Sequence, residues 1–155
     1  MEIRPLVAPD RPRLAALLSR IETFSRDEVA CALELIDAAA QPANPDYRVL
    51  VAVREGTLQG YVCYGPTPMT QGTFDLYWIA SDPQVRGQGV GAALVSAMEG
   101  ELRRGGARLI RVETSAMEAY GPTRGFYAAM QYKEESRFRD FYKPGEDLIV
   151  LAKRL

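Results

Sequence analysis

The sequence predicts an α/β (α+β) fold, a mixed, mostly antiparallel seven-stranded sheet with about four helices, in one domain over residues 1–155. Three observations predict it. Apolar runs of strand length and stretches with a three- and four-residue apolar period occur in the same chain, which calls for both sheet and helix. Two pairs of strand-like runs are separated only by turn residues, Glu55-Gly56-Thr57 and Pro144-Gly145-Glu146-Asp147, as in antiparallel hairpins. Between those pairs lie a strand, a glycine-rich turn, a helix and another strand, a crossover that makes its two strands parallel. At 155 residues the chain is long enough for one domain with a real core and too short for two of ordinary size.

Ile3 to Val7 is a short first strand, and Pro5 suits a sheet edge because it has no N–H to give a neighbour. Asp10 then caps a helix with Pro12 in its first turn and Leu14, Leu17, Leu18 and Ile21 as its buried stripe. Ser25-Arg26-Asp27-Glu28 is a capping-box pattern that opens a second helix running to about Ala40. Gln41 to Asp46, with two prolines, is a loop. Tyr47 to Arg54 and Leu58 to Tyr64 alternate as strands do, and Gly65 to Gly72 is a loop long enough to lie over a pocket. Phe74 to Ala80, aromatic and aliphatic, is the buried central strand. Val90, Ala93, Leu94, Ala97, Met98 and Leu102 draw one stripe along a helix that ends at Gly105-Gly106. Arg108 to Glu113 is the fifth strand, Pro122 to Met130 a fourth helix, and Tyr132 to Phe141 with Leu148 to Lys153 close the sheet. Cys31 and Cys63 both read as small core residues. No internal repeat, low-complexity run or interdomain linker is visible.

The glycine turn carries the chemistry. Gly87, Gly89 and Gly91 sit at a helix start, where backbone N–H groups are unpaired, the helix end is partly positive, and missing Cβ atoms admit a bulky anion. Arg86 adds a full charge beside it, so the stretch reads as a phosphate cradle. A P-loop needs Gly-Lys-Ser/Thr at its end, and here Ala92-Ala93 follow Gly91. Gly87 to Ala92 fits the dinucleotide string G-x-G-x-x-G/A, with Glu113 where a ribose-binding acid is expected. Spacing opposes that reading, because Ser81 to Arg86, including a proline, separate the strand from the first glycine.

The longer pattern resembles the GNAT superfamily of acetyl-CoA-dependent N-acetyltransferases, whose signature Q/R-x-x-G-x-G/A lies between the fourth strand and the third helix. Gln84-Val85-Arg86-Gly87-Gln88-Gly89 and the overlapping Arg86 to Gly91 both satisfy it. The family's N-x-x-A-x-x-F-Y motif is matched in part by Tyr120-Gly121-Pro122-Thr123-Arg124-Gly125-Phe126-Tyr127, which keeps the Phe-Tyr pair without the Asn or Ala. The resemblance implies that the fourth and fifth strands (β4/β5) splay and that the pantetheine arm of acetyl-CoA lies between them like an added strand. Ile79, Ala80 and Ser81 would line one side, and Glu113, Thr114 and Ser115 the other. Arg86, Gly87, Gln88, Gly89, Val90, Gly91 and Ala92 would hold the pyrophosphate, with Thr123, Phe126 and Tyr127 contributing from the fourth helix. It also implies direct attack by a neutral amine on the thioester in a ternary complex. Asp75 and Glu113 are the candidate bases, with Tyr77 orienting a water, and Tyr127 is the candidate acid for the departing thiolate. Thr23 to Asp27 would wall the acceptor site. Two other classes stay open: a non-catalytic CoA- or acetyl-CoA-binding regulatory module, and a dinucleotide-binding oxidoreductase.

Composition removes further classes. Nineteen basic and twenty acidic residues leave a net charge of −1, so no basic excess points to nucleic acid or an anionic membrane. Apolar runs are strand-sized and the N-terminus does not read as a signal peptide, so a soluble, cytoplasmic protein is expected. Histidine is absent, which rules out Ser-His-Asp and Cys-His nucleophile systems and leaves no metal site at usable spacing. The acceptor, a small-molecule amine or a protein amine, is not legible, and neither is the choice between monomer and homodimer.

Overall fold

The computed structural model describes residues 1–42 and 44–155, so Ala43 of the expected Gln41–Asp46 loop lies outside the described residues. The chain runs β1 (Glu2–Pro5), α1 (Asp10–Ser19), α2 (Arg26–Ala39), β2 (Arg48–Arg54), β3 (Thr57–Pro66), β4 (Thr73–Ser81), α3 (Val90–Arg104), β5 (Leu109–Ser115), α4 (Gly121–Ala129), β6 (Lys133–Lys143) and β7 (Glu146–Arg154). Short 3-10 turns at Pro83–Val85 and Glu118–Tyr120 precede α3 and α4. The strands form one seven-stranded sheet in the order β1-β2-β3-β4-β5-β7-β6, antiparallel throughout except between β4 and β5. The expected mixed sheet and four helices are therefore present.

Side-chain alternation decides which helix covers which face. Val49, Val51, Tyr61 and Cys63 pack with Leu14, Leu17 and Leu18 of α1 and with Ala32 and Ile36 of α2. Leu50, Ala52, Val62, Leu76, Ile110, Val112, Ile149 and Leu151 pack on the other face with the α3 stripe and with Tyr127 of α4. The central strands are buried on both sides, and β3 is buried from Leu58 through Gly65. β7 rather than β6 lies beside β5, because Leu148 to Ala152 supplies apolar side chains to both faces whereas every residue of β6 is exposed.

Several local expectations hold in detail. The capping box is formed, with the Glu28 amide donating to Ser25 Oγ at 3.1 Å and the Ser25 amide to Glu28 Oε1 at 3.3 Å. Glu55 and Gly56 both take positive φ, 50° and 75°, which gives β2 and β3 a two-residue hairpin turn. Two expectations fail. Asp10 is not the N-cap of α1 but its first residue; its buried carboxylate accepts the Val7 amide at 2.9 Å and pairs with Arg4 at 2.7 Å, tying α1 to β1. Cys31 is exposed on the outer side of α2, and only Cys63 is a core thiol, pushed up to about 12 by burial.

One buried polar group was missed. Glu99 falls on the apolar stripe of α3 and accepts Lys153 Nζ at 2.8 Å and the Tyr132 hydroxyl at 3.0 Å, so one carboxylate joins α3, β7 and the residue before β6. The helical period that places Val95, Met98 and Leu102 in the core also places Glu99 there, which was the signal available. Among the described residues no helix is long and apolar enough to cross a membrane, and no three His, Cys, Asp or Glu side chains converge to hold a metal.

Candidate active site

The site begins where the sheet opens. β4 pairs with β5 from Thr73↔Leu109 to Leu76↔Val112 and no further. Beyond Leu76, β4 remains paired only with β3, and Glu113 to Ser115 remain paired only with β7. The cause is a bulge: Tyr64 pairs with Leu76 and Cys63 with Trp78, so Tyr77 is an extra residue that bends β4 away from its parallel neighbour. Backbone groups from Tyr77 to Ser81 consequently face a gap within the sheet, where an extended ligand can bind them as a strand would.

A loop and helix start lie at one end of this gap. Asp82 caps the turn that leaves β4, accepting the Gln84 amide at 3.0 Å, and pairs with Arg20 at the end of α1. Burial alone would raise this carboxyl, but the Gln84 amide and the Arg20 guanidinium outweigh burial and hold it below its ordinary range. Gly87 and Gly89 take φ of 78° and 79°, and a Cβ on either would meet nothing within 4 Å. Gly89 is the N-cap of α3 and has no side chain to accept the first helical amides, so these stay open to a ligand. With Arg86 exposed next to them, these residues fit a diphosphate: the concavity is open, the Gln88 amide is spent on the Val85 carbonyl but the first α3 amides have no side-chain cap, and the local charge is positive.

Gly91 is a glycine for another reason. A Cβ there would lie 3.2 Å from the Phe126 ring and 3.9 Å from Ile79 Cδ1, so its absence lets α4 close on α3. Ile79, Gly91 and Phe126, all expected at a cofactor site, thus meet at one point between the cradle and the gap. Gly60, which the sequence reading passed over, is needed nearby: its Cβ would lie 2.6 Å from the Ala80 carbonyl and 3.1 Å from Val90, so only glycine lets α3 begin against β3. A lone glycine inside a strand-like run was the available signal.

The candidate bases meet where the strands part. Asp75, Leu76, Tyr77, Arg111 and Glu113 line one cavity of about 120 Å³. Asp75 is buried, accepts Thr67 Oγ1 at 2.8 Å and pairs with Arg111 at 2.6 Å, while Glu113 is half exposed and stands 3.9 Å from Arg111. Arg124 is not near Glu113 in any ion pair; it donates to the Ser115 and Met117 carbonyls at 2.7 and 2.8 Å and fixes the turn into α4. Burial, with help from Asp75, pushes the Tyr77 phenol up to about 12. Alternation puts Asp75 and Arg111 on the α1/α2 face, opposite Leu76 and Val112.

Tyr127 comes from the other face. It is 3% exposed, with Phe126 and Tyr132 edge-on at 5.3 and 5.6 Å, and burial raises its phenol well above the ordinary value. Thr114 is buried on β5, Ser81 is half buried at the end of β4, and Thr123 is exposed in the first turn of α4. In the expected acceptor wall, Phe24 stacks edge-on against Trp78 at 5.4 Å, which fixes the α1–α2 connection against the splayed end of β4.

This chain matches the acetyltransferase (GNAT) family over residues 13–132. It belongs to the GNAT acetyltransferases. An acetyltransferase assigned to this family from Desulfovibrio desulfuricans has a similar structure, with 34% sequence identity, a TM-score of 0.94 and coverage of 99% of this chain and 98% of that one. The ribosomal-protein-S18-alanine N-acetyltransferase of Escherichia coli shares the fold at 22% identity and TM-score 0.78, covering 99% and 92% of the two chains. An aminoglycoside 6'-N-acetyltransferase solved with coenzyme A shares it at 18% identity and TM-score 0.77, covering 99% and 97%. None of the curated proteins matches the sequence. As a GNAT protein the chain is an acyltransferase, and its glycine turn lies between the fourth strand and the third helix.

Proposed function

We propose that this GNAT enzyme takes its acetyl group from acetyl-CoA and passes it to a primary amine by direct attack in a ternary complex, working as one cytoplasmic domain over residues 1–155. The observation that carries this reading is the continuity of the open glycine cradle with the gap between β4 and β5 through Ile79, Gly91 and Phe126. A phosphate-bearing head and an extended arm are the two parts of a ligand that such a surface accepts together. The relative solved with coenzyme A supports the choice of ligand.

When bound, acetyl-CoA supplies the acetyl thioester and accepts the leaving electron pair on sulfur. The chain's residues do the rest. Arg86 and the uncapped first amides of α3 after Gly89 hold phosphate, and unpaired β4 backbone N–H groups polarise the carbonyl. Asp75 and Glu113, in the cavity on the α1/α2 face, receive the ammonium and take its proton through water ordered by Tyr77. Tyr127, from the α3/α4 face, returns a proton to the leaving sulfur. Burial keeps its phenol protonated at neutral pH and makes it a weaker acid than a free phenol, so the transfer requires that the thiolate be desolvated to a similar degree. The acceptor is a small-molecule or protein amine, such as the aminoglycoside and ribosomal-protein alanine named for the two more distant relatives.

The test is thiol release from acetyl-CoA, measured against a panel of aminoglycosides, polyamines, amino acids and peptides, beside calorimetry with CoA alone. Turnover with at least one amine, saturable in acetyl-CoA, is expected. Tight CoA binding without turnover across the panel would favour a regulatory binding module, and no CoA binding would overturn the donor assignment.

A further inference from the structure

Arg54 ends β2, just before the two-residue turn into β3. Ala52 packs on the α3 face and Val53 on the α1/α2 face, so the next residue returns to the side where α3 begins. The close seating of Val90 over Gly60 brings that helix start down onto the β2–β3 hairpin. Arg54 Nη1 there donates to Gln88 Oε1 at 2.8 Å, and Gln88 is the residue between the two left-handed glycines. This bond engages one of the guanidinium's N–H groups, and among the described residues the others have no hydrogen-bond partner.

Arg4, Arg11, Arg20, Arg48, Arg103, Arg111, Arg137 and Arg154 all have carboxylate partners. Among the described residues the other eight, Arg13, Arg26, Arg54, Arg86, Arg104, Arg108, Arg124 and Arg139, have none, and of these Arg54 and Arg86 stand at the Gly87–Gly89 turn, Arg54 through its bond to Gln88 and Arg86 next to Gly87 in the chain. Two guanidiniums without counterions flank one open, amide-rich turn, an arrangement that an anion completes.

We propose that Arg54, reaching from the β2–β3 hairpin, is a phosphate-contacting residue of this site and with Arg86 grips the cofactor's phosphates from two sides of the Gly87–Gly89 turn. This rests on the acetyl-CoA reading. Its test is calorimetry with CoA and with dephospho-CoA, each at two salt concentrations, on the parent, Arg54→Ala, Arg54→Lys, Gln88→Ala and the Arg54→Ala/Gln88→Ala double variant. Thermal melts confirm that each is folded. Arg54→Ala is expected to weaken CoA about tenfold and flatten its salt dependence, Arg54→Lys to recover most of the loss, and the loss to persist in the Gln88→Ala background. Loss with CoA alone assigns the contact to the 3′-phosphate and loss with both ligands to the pyrophosphate; either supports the proposal. Affinity within twofold of the parent would overturn it, as would a loss that disappears once Gln88 is removed, since Arg54 would then only prop the loop. If the parent itself fails to bind CoA, the donor reading falls, and a null result in Arg54→Ala alone leaves that reading standing.

Discussion

Gly89→Asp tests the cradle most directly, and Gly106→Asp is its internal control. Both glycines bound α3, both hold positive φ (79° and 82°), and a Cβ on either meets nothing within 4 Å. Both variants therefore carry the same left-handed backbone penalty, about 1 kcal/mol for an aspartate, without a clash. They differ only in the end of the helix they charge. At Gly89 the carboxylate faces the diphosphate; the two negative charges of the diphosphate, each at about 6 Å and an effective dielectric of about 60, each repel it by about 0.9 kcal/mol, roughly 2 kcal/mol together, and physiological salt about halves this. The remainder, about 1 kcal/mol, and the Cβ now in the ligand's path together predict CoA binding weakened by about tenfold. Gly106→Asp should bind CoA like the parent. The order of stability is the reverse: the helix dipole favours a negative charge at the α3 N-terminus and opposes it at the C-terminus, so Gly106→Asp should melt lower than Gly89→Asp by about 3 °C. Calorimetry and thermal melts read both. Equal loss of CoA affinity in the two variants, or Gly89→Asp binding within twofold of the parent, would refute the placement of the phosphates.

Tyr127→Phe should leave CoA affinity nearly intact and lower kcat by about 10²-fold, read by single-turnover kinetics; parental turnover across the pH range would make Tyr127 a packing residue. Glu99→Gln leaves the partly buried Lys153 without its counter-charge and should destabilise the fold by about 3 kcal/mol in urea titrations, with turnover per folded molecule unchanged. The Arg4 guanidinium holds the Asp10 carboxyl below its ordinary range against the opposing effect of burial. A depressed folded-state value means the contribution is fully present above the unfolded value near 3.8 and is lost as pH falls through the folded one. Asp10→Asn should therefore be less stable than the parent at pH 7 and should approach it near pH 2, as compared by denaturant midpoints.

Strand and helix positions, the capping box, the two hairpin turns and the glycine turn at the start of α3 were legible because each depends on residues close together in sequence. Period, turn chemistry and helix-end chemistry are local properties. Asp10 shows where local reasoning stops: the residue type and position suit an N-cap, but Arg4 on a neighbouring strand offers the carboxylate a stronger partner, and the helix starts one residue earlier than capping would have it. Cys31 was misplaced for a related reason, since α2 is covered on one side only and the sequence does not say how wide the apolar stripe is.

The sequence by itself determined a glycine turn at a helix start, a Phe-Tyr pair on a later helix, and acidic residues near the end of two strands, and these were enough to place the chain among acetyltransferases. Only the tertiary structure decided that the bulge at Tyr77 parts β4 from β5, that Asp75 and Glu113 share one cavity with Arg111, and that Tyr127 approaches from the opposite face. It alone separated the glycines by role: Gly87 and Gly89 for backbone conformation, Gly91 and Gly60 for close packing, and it alone brought Arg54 to the cradle. The physical reason is that a side chain's neighbours across a sheet or beneath a helix are set by strand order and register, which join residues dozens of positions apart, and neither is encoded in any single stretch of chain.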